Sequence, residues 1–141
     1  MNKTESSFIE FKAQECLYNN EIWPVFEKII ERWPKNKKFS VRICLEEAVM
    51  NAINWGSKNA DSTVKIYYKP THKFISFSVE DTGKGFDPEK VPDCTKDENL
   101  EKPSGRGIYL MREYSDKLKY NKKGNIVTMV IYKKNLNTQS Q

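Results

Sequence analysis

The sequence predicts a two-layer α/β sandwich of the α+β type, with one mostly antiparallel mixed sheet and helices packed on one of its faces. Two pairs of strand-like runs and one long apolar stripe of helical period carry that prediction. Residues Thr63 to Lys69 and Phe74 to Glu80 are β-branched or aromatic, alternate in polarity and are joined by a short turn around Pro70. An antiparallel hairpin requires that pattern. Residues Lys117 to Asn121 and Asn125 to Lys133 repeat it across Lys122, Lys123 and Gly124. Between Val41 and Gly56, the apolar residues Val41, Cys44, Leu45, Ala48, Val49, Ala52 and Ile53 recur at three- and four-residue spacing. That spacing predicts an amphipathic helix, with Ser40 as its N-cap and Gly56 as its stop.

The other elements follow in chain order. Ser6 to Ala13 alternate around Glu10 and Lys12 and read as a first strand. From about Asn20, residues Ile22, Val25, Phe26, Ile29, Ile30 and Trp33 keep helical spacing, with Pro24 tolerated in the first turn and Pro34 closing the helix. Lys35 to Lys38, the densest basic cluster, reads as a solvated loop leading to Ser40. Beyond Glu80 come Asp81, Gly83 and Gly85, and then a loop of about sixteen residues from Asp87 to Lys102, a length usual for a lid or binding segment. Pro103 to Gly107 opens a further helix carrying Ile108, Met111 and Tyr114 on one face. Residues 1–134 are expected to form one domain, and the polar residues 135–141 a frayed tail.

Bulk properties narrow the class. A chain of 141 residues has room for one real core. An apolar fraction of 38% with 12% aromatics belongs to a folded protein. The net charge of +5 and a pI near 9.0 admit anionic ligands or a nucleic-acid surface. The basic residues are spread along the chain, so a solvated surface is expected, with no direct nucleic-acid binding. Cys16, Cys44 and Cys94 lack metal-type spacing and read as reduced thiols, Cys44 as a core residue. The first eight residues lack an apolar signal region and no apolar run spans a bilayer, so a cytoplasmic protein with no membrane association is expected. His72 is the only histidine, which removes His-based triads and multi-His metal sites.

Three short motifs carry chemistry. At about 100° per residue, Glu47 and Asn51 fall side by side on the rim of the buried stripe, where packing fixes their backbone. Asp81 stands at a strand end, followed by Gly83 and Gly85, which let the backbone turn sharply and approach a flat ligand. A buried aspartate there can accept a hydrogen bond from an exocyclic amine such as adenine offers. Gly105, Arg106 and Gly107 precede a helix whose N–H groups and dipole suit phosphate. Neither glycine motif is a Walker A loop or a dinucleotide-binding fingerprint.

In this order and spacing, from about Ser40 to Lys133, the three motifs resemble the GHKL or Bergerat ATP-binding superfamily of gyrase, MutL and histidine-kinase ATPase domains. Within it, Glu47-Ala48-Val49-Met50-Asn51-Ala52 followed by Gly56, Gly105-Arg106-Gly107-Ile108 and the chain length are most similar to the anti-sigma-factor serine/threonine kinases of bacterial partner-switching systems. The resemblance implies that ATP and Mg²⁺ bind, with Asn51 as the metal ligand and Glu47 as the general base for a substrate hydroxyl. It implies that Asp81 holds the adenine amino group, that Gly83 and Gly85 shape the base pocket, and that Gly105, Arg106 and Gly107 lie along the phosphates. It implies two protein partners, a sigma factor that is sequestered and an anti-sigma-factor antagonist that is phosphorylated, and a homodimer.

Three departures from the family pattern stand in the sequence. Trp55 occupies a position where relatives often carry histidine. Pro103 lies where some have arginine, leaving Arg106, Lys102 and Lys84 as cations for phosphate. Gly124-Asn125 replaces a common Gly-Thr, leaving Asn125 or Thr128 as polar groups on the adenine side. A second reading of the same motifs is a nucleotide-gated binding module without catalysis, switching partners through the segment from Asp87 to Lys102. A detached histidine-kinase catalytic domain is a third, less expected because the lid is short and no dimerisation helices with a phosphoacceptor histidine are expected ahead of the domain.

Overall fold

A computed structural model describes residues 7–12, 21–53, 63–81 and 103–134, with side chains from Gly107 onward in the last segment. The chain runs β1 (Ser7–Lys12), α1 (Trp23–Ile29), α2 (Lys35–Asn51), β2 (Thr63–Pro70), β3 (Phe74–Asp81), α3 (Pro103–Tyr114), β4 (Lys117–Tyr120) and β5 (Ile126–Tyr132). The strands form one five-stranded sheet in the order β1-β2-β3-β5-β4. All four pairings are antiparallel, so the described strands hold no parallel pair of the kind a mixed sheet would contain.

Alternation decides which face the helices cover. In β3, Ile75, Phe77, Val79 and Asp81 are buried and the residues between them are only partly so. Val64 and Ile66 on β2 and Val127, Met129 and Ile131 on β5 fall on that same side. Phe26 of α1 meets Phe77 edge to face at 5.7 Å between ring centroids and Tyr68 at 5.1 Å. Such pairs add about 0.5–1.5 kcal/mol to the burial of the rings themselves. The stripe of α2 lies inward as its spacing demands: Val41, Cys44, Leu45 and Val49 are fully buried, and Ala48 and Ala52 nearly so.

The chain departs from the expected boundaries around α2. The helix begins at Lys35, directly after Pro34 (φ −58°, ψ 150°), so Lys35 to Lys38 form its first turn instead of a loop. Proline's locked φ and missing N–H suit a helix entrance, and lysine and asparagine continue a helix readily enough. Ser40 is therefore no N-cap. It sits inside α2, nearly buried, and its hydroxyl donates back to the Asn36 carbonyl at 3.1 Å. Pro34 belongs to the start of α2, while α1 ends at Ile29 with its proline in the first turn. Tyr114 does not join Ile108 and Met111 in the core. It lies on the outer flank of α3, edge to face with Phe39 of α2 at 5.4 Å. Gly56, Trp55, Cys16, Cys94 and residues 135–141 lie outside the described residues. Among the described residues no helix is long and apolar enough to cross a membrane.

Candidate active site

The sheet and helices bring the N-terminal half of α3 against the C-terminal half of α2. Ile108 and Met111 are buried against that helix, and the Cys44 thiol lies 3.7 Å from the Met111 carbonyl. Burial pushes this thiol up to about 12, with smaller contributions from Asp116 and Glu47. It is a neutral packing group with no nucleophilic character.

One turn along α2, this packing presents Glu47 and Asn51 to α3. Gly107 is the residue they meet. A Cβ placed there would lie 2.9 Å from Glu47 Oε1, 3.3 Å from Asn51 Nδ2 and 3.4 Å from Asn51 Oδ1. The α3 backbone therefore reaches the carboxylate and the amide together, and any side chain at this position would push the carboxylate end aside. Glu47 is half-buried, and burial raises its carboxyl above the ordinary glutamate range, with the neighbouring Glu46 charge adding to the shift. Both causes penalise the anion. A carboxylate so placed holds a proton more readily than an exposed one, which moves it toward the working range of a general base.

At the other end of the site, Asp81 closes β3 with 9% of its surface exposed. It borders a small cavity of about 20 Å³, shared with Asn51, Tyr120, Asn125 and Val127, about the room one water needs. Asn51 thus links the two ends, since it touches Gly107 on one side and the Asp81 cavity on the other. The cavity also carries Tyr120, which was not among the residues expected there. Burial raises its phenol to about 12, with Arg112 opposing and Asp81 adding to the shift. Its pairing opposite Val127 places it on the helix side of the sheet, a direction the alternation of β4 and β5 does contain.

Thr128 does not reach this cavity. It pairs opposite Ser78 on the face of the sheet away from the helices, and the two hydroxyls lie 2.7 Å apart. Of the two adenine-side candidates, only Asn125 borders the Asp81 cavity. Gly83, Gly85, Lys84, Lys102 and the segment from Asp87 to Lys102 lie outside the described residues. Gly105 and Arg106 fall within the first turns of α3, which starts at Pro103 instead of after Gly107. A larger hollow of about 540 Å³ runs beside β4, bordered by Arg112, Asp116, Lys117 and Lys119. It contains none of Glu47, Asn51 or Asp81, and open volume alone does not make a reaction site.

The donor set suits one hard cation poorly held by protein alone. Among the described residues no three His, Cys, Asp or Glu side chains gather to hold a metal. The Asn51 amide oxygen is the kind of ligand Mg²⁺ takes when substrate phosphates complete its shell.

The sequence matches the family described as the histidine kinase-like ATPase domain over residues 20–131. It is also similar to the serine/threonine-protein kinase BtrW of Bordetella bronchiseptica, 23% identical over 122 residues that cover 84% of this chain and 83% of that protein. The matched span includes the Glu47–Asn51 helix, the strand ending in Asp81 and the helix bearing Gly107, and the chain belongs to the histidine kinase-like ATPase domain family.

Proposed function

We propose that this protein is an ATP- and Mg²⁺-dependent serine/threonine protein kinase of the partner-switching type, which phosphorylates an anti-sigma-factor antagonist and sequesters a sigma factor. The observation that carries the reading is the approach of Gly107 to Glu47 and Asn51, one turn apart on α2, beside the cavity that Asp81 closes. Its family membership supports ATP binding, and a serine/threonine-protein kinase at 23% identity supports phosphoryl transfer to a protein hydroxyl. The sigma factor, the antagonist, the homodimer and a cytoplasmic setting rest on the motif resemblance.

In this mechanism Asp81 accepts the hydrogen bond of the adenine amino group, with Gly83 and Gly85 next to the base. Backbone N–H groups at the start of α3, with Arg106, lie along the phosphates. Asn51 would hold Mg²⁺ through its amide oxygen, and the bound ion would supply neutralisation of phosphate charge. Glu47 takes the proton from the acceptor hydroxyl as that oxygen bonds to the γ-phosphorus and the bond to the β-phosphate oxygen breaks, releasing ADP. Positioning and charge neutralisation make up most of what this reaction asks of a protein.

The test is a transfer assay with γ-labelled ATP and the candidate antagonist. Label moving to a serine or threonine of the antagonist with wild type, and not with Glu47→Gln, supports the reading. Nucleotide binding without any transfer would favour a catalytically silent, nucleotide-gated switch.

A further inference from the structure

Antiparallel strands that form a hydrogen-bonded pair exchange two backbone bonds. The β3–β5 ladder runs in register to Glu80 opposite Ile126, so its next pair is Asp81 opposite Asn125. Only one of the two expected backbone bonds is made there: the Asp81 N–H donates to the Asn125 carbonyl at 3.0 Å. The Asn125 N–H is turned away and donates to Asn121 Oδ1 at 3.0 Å. The Asn125 side chain supplies the missing donor, with Nδ2 3.1 Å from the Asp81 carbonyl. The amide therefore stands in for a backbone N–H, and Asp81 is held at both its N–H and its C=O by one residue.

Asn121 fixes the direction of that side chain. Its Oδ1 accepts from three successive N–H groups, those of Gly124, Asn125 and Ile126, each at 3.0 Å. Three donors on one atom require that atom to be oxygen. The other end of the Asn121 amide is thus the donor, and it lies 2.8 Å from Asn125 Oδ1. With its oxygen engaged by Asn121, Asn125 has only its nitrogen to turn toward Asp81. Gly124, at φ 79°, takes the left-handed conformation that brings these N–H groups to one point.

We propose that Asn121 and Asn125 are positioning residues for Asp81: the β4–β5 turn seats the adenine-reading carboxylate, and Asn125 holds its backbone instead of contacting the base. The inference rests on the reading that Asp81 takes the adenine amino group. It assigns the Asn125 departure from the family pattern a job, since a shorter hydroxyl side chain would not reproduce this relay.

Calorimetric titration of the full chain with ATP, inosine triphosphate and inorganic tripolyphosphate tests it in wild type, Asp81→Asn, Asn125→Ala and the double variant. Inosine triphosphate differs at the 6-position, where a carbonyl replaces the amino group. The expected result for Asn125→Ala is about tenfold weaker ATP binding, the scale of one well-placed hydrogen bond to a charged group, with a smaller preference for ATP over inosine triphosphate. Tripolyphosphate binding should not change, and the double variant should bind ATP no more weakly than Asp81→Asn. Asn121→Asp adds a milder arm: it keeps the oxygen for the three N–H groups and lacks the donor, so Asn125 must rotate its oxygen toward the Asp81 carbonyl. It should likewise shrink the ATP preference while the fold survives.

If Asp81→Asn itself leaves ATP binding intact, the reading of Asp81 is wrong and the inference falls with it. If Asp81→Asn weakens ATP but Asn125→Ala and Asn121→Asp leave the ATP preference intact, the relay is overturned alone. Additive losses in the double variant, or equal losses for ATP and tripolyphosphate, overturn it too.

Discussion

The two ends of the site are built in different ways. At the Asp81 end, side chains are tied to backbone: Asn125 grips the aspartate's own peptide groups and Asn121 grips the turn. At the Glu47 end the described residues are placed by packing, where two helices approach closely at a glycine. The first construction suits selection, since a fixed carboxylate discriminates by whether a donor is offered to it. The second suits chemistry. A half-buried carboxylate with a raised pKa is matched to a proton, and an amide beside the Gly107 turn of α3 to the phosphate end of a nucleotide. Damage at one end should therefore change which nucleotide binds, and damage at the other should change what happens to it.

Glu47→Gln should break the comparison most sharply. Removal of a general base costs on the order of 10²–10⁴ in rate, and phosphate transfer should fall by that much while ATP titrates as in wild type. Equal losses of binding and transfer would mean that the ends are not separable. Gly107→Ala comes next. Alanine favours the helix by up to about 1 kcal/mol, and the atoms its methyl meets are the ends of Glu47 and Asn51, so the protein should fold and melt no lower than wild type. Displacing those groups by part of an ångström should still cost transfer on the order of 10², read by single-turnover assay.

A smaller effect is a shift in pH. As pH falls, Glu47 is lost as a base at a higher pH than an exposed glutamate would be, because burial and Glu46 favour its protonated form. The same shift makes its ionised form a stability cost in the fold, absent below the unfolded-state pKa and complete once pH has risen through the folded one. Glu46→Gln removes the like charge, so the acid limb of the transfer rate should move to lower pH, with ATP affinity at neutral pH unchanged. The smallest expected effect is that of Thr128→Val: with its hydroxyl on the far face of the sheet against Ser78, ATP affinity should stay within about twofold, well under the worth of one hydrogen bond to a charged ligand.

Much of this was legible in the residues because it depended on period. The α2 stripe, the two hairpins and the strand ending in Asp81 each follow from the spacing of apolar residues, and spacing survives folding. The entrance to α2 was not legible: Ser40 has the chemistry of an N-cap, but Pro34 supplies an earlier boundary and the lysines after it do not resist helix. Tyr114 was misplaced because helical period gives a face and not the extent of the neighbour beneath it. Asn125 could be seen as polar and near the site. Its bond to a carbonyl 44 positions earlier in the chain, and the turning of Thr128 to the other face, depend on strand register, which a single sequence states only weakly.

The most direct measurement is calorimetric titration of ATP, with and without Mg²⁺, into wild type, Asp81→Asn and Asn51→Ala. Micromolar binding, on the order of −8 kcal/mol, is expected, weakened about tenfold or more but still measurable in Asp81→Asn, and without its Mg²⁺ dependence in Asn51→Ala. Wild-type protein that binds no nucleotide under either condition, or that binds equally well without the Asp81 carboxylate, would contradict that expectation.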